Sequence, residues 1–300
     1  MTKLLESVPN YSVGRDDEVI DKIVEPFKNH ADVKLLDYSA DPDHNRLVVT
    51  NVGSPEGLFT TTLETIGIAI ELIDMNEHAG EHPRMGAVDV IPFTPLKNVT
   101  MDEAVELAKR LGGAAAEEYD LPIFLYEEAA TRPERENLET IRKGEYENFP
   151  KKIDREDWKP DFGPDKVHPT AGVTAVGARK PLVAFNVNLK TDDLGIANEI
   201  ARKVRHSSGG LRYCKAMGVD LEKDGFVQVS MNMTDYTQTS LHQVFELIRT
   251  EADRYGVNIA ESEIIGLVPG DALMNAAEHY LRINDFSSDQ VIENRLLEDL

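Results

Sequence analysis

The sequence predicts a mixed α/β (α+β) fold that consists of two ferredoxin-like βαββαβ subdomains. Short apolar runs typical of strands alternate with longer segments of helical spacing along the chain. The order strand, helix, strand, strand, helix, strand occurs twice, and this order is characteristic of the split βαβ unit. A length of 300 residues also predicts about two domains. The two halves show no visible sequence identity, so the repeat lies only in the order of the elements.

The first half predicts one βαββαβ unit followed by a further helix and strand. Asp16–Lys28 carries apolar residues at helical spacing on one face. The segment Asp41–Asn45 consists of turn-forming residues and joins two runs rich in β-branched residues. In order, the predicted elements are the strand Leu4–Val8, the helix Asp16–Lys28, the strands Val33–Leu36 and Leu47–Val52, the helix Glu56–Met75, the strand Ala87–Phe93, the helix Met101–Glu118 and the strand Leu121–Tyr126.

The second half predicts the same order again. Asp224-Gly225 within Glu222–Gly225 is a hairpin signal between two strands. Leu182–Leu189 alternates apolar and smaller or polar residues, as expected of a strand. The predicted elements are the strand Leu182–Leu189, the helix Asp193–Arg205, the strands Arg212–Leu221 and Phe226–Met233, the helix Thr239–Tyr255, the strand Ile259–Val268 and the helix Ala272–Asn284.

A long segment without clear periodicity, Thr131–Gly177, separates the two halves. It contains five prolines and the only tryptophan of the chain, Trp158. A loop of this length in a compact protein is usually functional or disordered. Phe149 and Phe162, together with the tryptophan, favour an ordered strap that packs through its aromatic side chains.

Composition and charge exclude several classes of protein. The chain has 54 Asp and Glu against 32 Lys and Arg, a net charge of −22, whereas nucleic-acid binding needs clustered basic residues. No apolar run approaches the ~20 residues that a membrane-spanning helix needs, and the N-terminus lacks a signal-peptide pattern. Cys214 is the only cysteine, which excludes an intrachain disulfide and a Cys-based zinc site. We therefore expect a cytoplasmic protein with no nucleic-acid or membrane partner, and an anionic ligand would need a local basic pocket.

The densest polar cluster of the sequence, Asp74–Asp89, links a predicted helix to a predicted strand. His78-Ala79-Gly80-Glu81-His82 fits the H-x-x-E-H pattern of inverted zinc peptidases, but Gly80 and Pro83 oppose the helix that this motif requires. The preferred interpretation is a single catalytic histidine on a shaped loop, because an imidazole suits proton transfer near neutral pH. We therefore expect no metal site here; a hydrogen-bonded surface histidine is the alternative.

Two other segments could bind an anion. Asn45 and Arg46 follow the predicted turn, and Arg46 could bind a carboxylate bidentately. The run Gly163–Gly177, with Arg179 and Lys180 behind it, could wrap an extended anionic ligand with backbone N–H groups. Asp161-Phe162-Gly163 matches a kinase triplet, but no other kinase motif accompanies it.

Several blocks resemble the glutamate formiminotransferase family, in order and over nearly the whole chain. The most specific are Gly80–Val90 and Asp157–Pro164. Shorter matching blocks are Gly144–Glu147, Gly177–Lys180 and Gly266–Pro269. Resemblance to this family implies two α/β subdomains, residues 1–178 and 179–300, with an active site in the cleft between them.

The resemblance also implies a reaction. The family transfers the formimino group between N-formimino-L-glutamate and tetrahydrofolate, which is a co-substrate, in histidine degradation and one-carbon folate metabolism, without a metal. The family's catalytic histidine corresponds to His82, which we expect to act as general base. Its folate-binding segment corresponds to Gly163, Pro164, Asp165, Lys166, Val167, His168, Pro169, Thr170, Ala171 and Gly172. Further candidates for substrate binding are Asn10, Asp37, Asn45, Arg46, Glu81, Arg84, Arg179 and Lys180.

The expected partners follow from the same resemblance. The family suggests a homodimer, and the cyclodeaminase that is fused to the animal enzymes should here be a separate protein. Two alternatives to formimino transfer stay open. A formyl donor, N-formylglutamate or 5-formyltetrahydrofolate, would place the enzyme in folate salvage, and a protein that binds folate without catalysis would need no His82.

Overall fold

A computed structural model describes residues 2–221 and 225–297, and it confirms a mixed α/β fold with two sheets. The chain divides into two compact units, Met1–Arg179 and Lys180–Leu300. In the described residues no helix is long and apolar enough to cross a membrane.

The first unit is built on a seven-stranded sheet. β1 and β2 each pair with both β4 and β5, so together they occupy a single strand position between β4 and β5. β3 pairs with β4 at one edge, and β7 and β6 extend the sheet in parallel beyond β5. The strands are β1 (Leu4–Ser7), β2 (Asn10–Tyr11), β3 (Val33–Asp41), β4 (Arg46–Gly53), β5 (Val88–Lys97), β6 (Ile123–Glu127) and β7 (Thr174–Ala178).

Three long helices of this unit begin at side-chain caps that the sequence supplies. They are α1 (Asp17–Asn29), α2 (Pro55–Leu72) and α3 (Met101–Tyr119). The Asp16 carboxylate accepts hydrogen bonds at the start of α1, and Thr100 forms a capping box with Glu103 at the start of α3. The apolar faces of these helices share one buried core with the sheet.

The prediction that the second of these helices reaches Met75 is wrong. Helix α2 ends at Leu72 because Ile73 has extended backbone angles, φ −115° and ψ 116°. The Asp74 carboxylate then accepts hydrogen bonds from the backbone and side-chain N–H groups of Asn76, which stabilises a turn instead of another helical turn. This early end leaves residues 73–87, called here the histidine loop, free to adopt an irregular path.

Most of the strap Thr131–Gly177 folds onto the first unit. It contains the short helices α4 (Leu138–Arg142) and α5 (Glu145–Ile153), and it ends in the strand β7, which the sequence analysis missed. That strand reads Thr-Ala-Val-Gly-Ala, and three of its five residues are Ala or Gly, which are depleted in strands. Phe149 and Trp158 are buried against Phe124 of the sheet, so the aromatic residues of the strap do order it, as predicted.

The second unit has the predicted order of elements. Its four-stranded antiparallel sheet has the strand order β11-β8-β10-β9 and shares a buried core with its helices. Residues 222–224 of the predicted hairpin turn lie outside the described residues. The elements are β8 (Val183–Leu189), α6 (Leu194–Val204), β9 (Cys214–Leu221), β10 (Phe226–Met233), α7 (Leu241–Arg254), β11 (Ile259–Ile265), α8 (Gly270–Leu281) and α9 (Ile292–Leu297).

Candidate active site

The histidine loop is held in place by a buried arginine. Arg84 donates two hydrogen bonds to the Glu147 carboxylate, at 2.7 and 3.0 Å, and a third to Glu145 at 3.2 Å. Its side chain is only 8% exposed, whereas the Glu145 and Glu147 side chains are 44% and 57% exposed, so the pair joins a buried guanidinium to carboxylates at the surface. The sequence analysis expected Arg84 to contact a substrate, whereas its guanidinium here connects the histidine loop to helix α5.

The first histidine of the loop uses both of its ring nitrogens within the protein. His78 Nε2 lies 3.0 Å from the carbonyl oxygen of Asn45, and His78 Nδ1 accepts a hydrogen bond from Arg84 Nε at 3.2 Å. Residues 78–82 are not helical, so His78 and His82 are not presented together on a helix face. Throughout residues 2–221 and 225–297 no three His, Cys, Asp or Glu side chains form a group that could hold a metal ion.

His82 lies beside the turn between β3 and β4. Its Nε2 is 3.5 Å from Nη1 of Arg46, the first residue of β4. Since a guanidinium can only donate, a hydrogen bond between these two atoms requires this nitrogen to be the acceptor. The His44 ring lies edge-on to the His82 ring with 6.3 Å between centroids, and its Nδ1 is 2.7 Å from the Asp41 carboxylate.

The surroundings of His82 keep the imidazole neutral. Burial and then the positive charges of Arg46, Arg142 and His44, in that order, lower its pKa to about 3, against a smaller opposing effect of Asp41. A neutral imidazole is the form that can accept a proton.

Arg142 is a component of this site that the sequence analysis missed. It lies at the end of helix α4, and its Nη2 forms an ion pair with Asp89, which is buried. Asp89 also accepts the backbone N–H of Met85 at 2.8 Å, so the carboxylate ties Arg142 to the base of the histidine loop. In the sequence, Arg142 lies just before the family-matching block Gly144–Glu147. The spacing of that block does not indicate that Arg142 lies near His82.

The segment Gly163–Gly172 runs alongside the histidine loop and is hydrogen-bonded to it. The backbone N–H of Met75 donates to the Thr170 carbonyl at 2.7 Å, and that of Ala87 donates to the Ala171 carbonyl at 2.8 Å. His168 Nδ1 accepts the N–H of Ala171 at 3.0 Å, which shapes the turn from within. The fold therefore joins two segments whose paired residues are 84 and 95 positions apart in the sequence.

Comparison with known proteins accounts for both units. The N-terminal subdomain of the formiminotransferase domain matches residues 4–179, and the formiminotransferase domain family matches residues 184–297. The chain belongs to the formiminotransferase family. Like its relatives it is a transferase.

Similar formiminotransferases occur in bacteria, archaea and animals. A glutamate formimidoyltransferase of Streptococcus pyogenes is 52% identical over 99% of this chain and 100% of that protein. One from Thermoplasma acidophilum is 44% identical over 98% of this chain and 97% of that protein. The formimidoyltransferase-cyclodeaminase of Rattus norvegicus is 44% identical over 93% of this chain and 53% of that protein, so the chain spans about half of that longer relative.

The remaining candidate residues of this formiminotransferase lie in several places. The Asn45 side chain accepts the N–H of Gly14 at 2.8 Å and donates to the Ala79 carbonyl at 3.1 Å, so it connects the turn to the histidine loop. Glu81 and Asp37 are exposed, the former on the loop and the latter on the edge strand β3.

Three other candidates already have interactions within their own unit. The Asn10 amide donates to the Val8 carbonyl at 3.0 Å. Arg179, the last residue of the first unit, interacts with Tyr126 and with Glu6. Lys180, in the second unit, pairs with Asp235 at 2.5 Å.

Crowding at Gly172 provides a test of the Gly163–Gly172 segment. Gly172 has a φ of +75°, and an added Cβ would lie 2.2 Å from the Met85 carbonyl oxygen. We expect Gly172→Ala to lower the free energy of unfolding by more than the ~1–2 kcal/mol cost of a left-handed alanine, because the segment must move away from the loop. If the segment binds tetrahydrofolate, as the family resemblance implies, KM for tetrahydrofolate should rise as well. Urea denaturation and steady-state kinetics measure both effects.

Gly209 is the matched control for this substitution. It has a φ of +91°, and an added Cβ would have no heavy atom within 4 Å. Gly209→Ala should therefore show the backbone cost alone, with an unchanged KM. Equal losses of stability in the two variants would contradict the packing argument.

Proposed function

We propose that this protein transfers the formimino group from N-formimino-L-glutamate to N5 of tetrahydrofolate, releasing L-glutamate. The observation that carries the proposal is the direct backbone pairing of the Gly163–Gly172 segment with the histidine loop. If that segment binds folate, as the family resemblance implies, the pairing holds the folate binding site next to the proposed base, His82. Holding two substrates in one orientation is itself a large part of the catalysis of a transfer reaction.

The chemistry needs one group that accepts a proton and later returns it. N5 of tetrahydrofolate attacks the amidine carbon, and the new C–N bond makes that carbon tetrahedral. His82 takes the proton from N5 in this step and then gives it to the departing glutamate nitrogen as the old C–N bond breaks. The protons and bonds balance without a covalent intermediate on the protein.

Arginines near His82 supply the basic pocket that a net charge of −22 otherwise opposes. Both substrates carry carboxylates, and Arg46 is the candidate best placed to bind one beside the reacting atoms, since no ion pair among the described residues involves it. Asp41, which pairs with His44 and favours positive charge on His82, is the carboxylate that we propose stabilises the cationic formimino group. We assign Arg84 and Asn45 to positioning of the histidine loop.

An assay of the pure protein tests this function. We expect glutamate release from N-formimino-L-glutamate that depends on tetrahydrofolate. Release from N-formylglutamate alone would move the donor to the formyl class. Folate binding without release from either donor would instead favour a binding protein.

The same proposal includes a homodimer in the cytoplasm. Sedimentation equilibrium of the pure protein tests the dimer, for which a mass of twice 33.5 kDa is expected.

A further inference from the structure

Two largely buried arginines from different elements flank His82, and both have unused hydrogen-bonding capacity. Arg46 belongs to β4 and Arg142 to α4. Among the described residues, the Nε atoms of both side chains are buried without a hydrogen-bond partner. A buried N–H donor without a partner is costly in a folded protein, and each such group calls for an explanation. Two such donors beside one imidazole indicate a site for an anion.

The α-carboxylate of the donor substrate fits this site. In N-formimino-L-glutamate the α-carboxylate is attached to the carbon that bears the reacting nitrogen, so it must lie close to the base. The carboxylates of a folate tail are separated from N5 by the pteridine and aminobenzoyl groups. A guanidinium matches a carboxylate with two parallel hydrogen bonds, which makes arginine the suitable residue.

We propose that Arg46 and Arg142 together bind the α-carboxylate of the glutamyl donor, and that its binding makes His82 basic enough to act. The inference rests on the proposed function, because it names how the donor activates the same site. In the free protein, Arg46 donates towards His82 Nε2, the atom that must accept the proton. A bound carboxylate draws that donor away and offsets the positive charge of both arginines.

The sign of the effect follows from the groups that face His82. Arg46 of β4, Arg142 of α4 and His44 of the β3–β4 turn lower its pKa, whereas Asp41 of that turn raises it. An added carboxylate acts in the same direction as Asp41, so His82 should titrate at higher pH in the complex. The basicity of His82 therefore rises only when the donor substrate is bound.

NMR titration of histidine-labelled protein tests the inference without any transfer step. N-acetyl-L-glutamate and N-acetyl-L-glutamine, which both keep the α-carboxylate, should raise the pKa of His82 by about one unit or more from its value in the free protein, near 3. N-acetyl-L-isoglutamine, which keeps only the γ-carboxylate, should leave it unchanged. The His82 signals are assigned by their loss in His82→Asn.

Arg46→Met is the most informative variant. Arg46 forms no ion pair among the described residues, so its removal leaves no described carboxylate without an ion-pair partner. We expect it to raise the pKa of His82 in the free protein and to weaken N-acetyl-L-glutamine binding about ten- to hundredfold, the value of a charge-assisted hydrogen bond. Arg142→Lys keeps the charge beside the buried Asp89 and should weaken binding less. Arg155→Met removes an exposed arginine of the strap and serves as the control.

Two results would overturn the inference. One is a His82 pKa that does not respond to N-acetyl-L-glutamine, or that responds equally to N-acetyl-L-isoglutamine. The other is unchanged binding of N-acetyl-L-glutamine in Arg46→Met. Neither result depends on transferase activity, so a failure of the proposed function is recognised separately by the glutamate-release assay.

Discussion

His82→Ala is expected to lower kcat for formimino transfer by about 10²- to 10⁴-fold, the usual contribution of a general acid–base group. The proton on N5 then has no acceptor in the protein, and the departing glutamate nitrogen has no donor. Tetrahydrofolate should still bind, because the Gly163–Gly172 segment is held by backbone bonds to Met75 and Ala87 that do not involve the imidazole. Steady-state kinetics and equilibrium binding of tetrahydrofolate separate the two effects.

An exposed histidine of the second unit supplies the control. His206→Ala makes the same substitution at a residue with no assigned role in the site and should leave both kinetics and binding unchanged. Turnover close to that of the original protein in His82→Ala would remove His82 from the proposed mechanism. A parallel loss of folate binding would show instead that the histidine shapes the site.

Asp161→Ala is expected to lower the free energy of unfolding by about 3–5 kcal/mol, because it leaves a buried arginine without its partner. Asp161 accepts Arg135 Nη1 at 2.5 Å and the backbone N–H of Leu125 at 2.8 Å. The Arg135 side chain is 1% exposed and stacks near Phe124, with 5.0 Å from Cζ to the ring centroid. Urea denaturation followed by the fluorescence of Trp158, the only tryptophan, reports directly on this cluster.

The strap also contains an exposed ion pair for comparison. Asp157 pairs with Arg155 at 2.5 Å, but both side chains are more than half exposed. Asp157→Ala should cost only about 0–1 kcal/mol. The double variant Asp161→Ala/Arg135→Met should be more stable than Asp161→Ala, since it removes the stranded charge. Equal losses in Asp157→Ala and Asp161→Ala would contradict the buried-pair argument.

The Asp161-Phe162-Gly163 triplet has a structural role that only its tertiary contacts reveal. The sequence analysis rejected a kinase because the other kinase motifs are missing. In the structure Asp161 anchors the strap to β6 through Leu125, directly before the Gly163–Gly172 segment begins. The triplet therefore fixes the start of the segment that we propose binds folate.

At the start of the histidine loop, hydrophobic periodicity alone did not predict where helix α2 ends. Apolar spacing extended the second helix to Met75, but Asp74 and Asn76 compete with the helix by forming their own side-chain turn. Local hydrogen bonds of this kind decide where a helix ends more than hydrophobic pattern does. Strand β7 was missed for a related reason, because its small residues are selected by burial in the middle of a sheet and not by intrinsic strand preference.

The sequence by itself determined the alternation of helices and strands, the repeated βαββαβ order and the family. Each of these depends on a periodic pattern or on a contiguous block of residues, such as Gly80–Val90. Only the tertiary structure decided that Arg46 contacts His82 with the charge of Arg142 nearby, and that Arg84 pairs with Glu145 and Glu147. These residues come from separate elements, and the contacts among them follow from how the strap packs on the sheet, which no local pattern encodes.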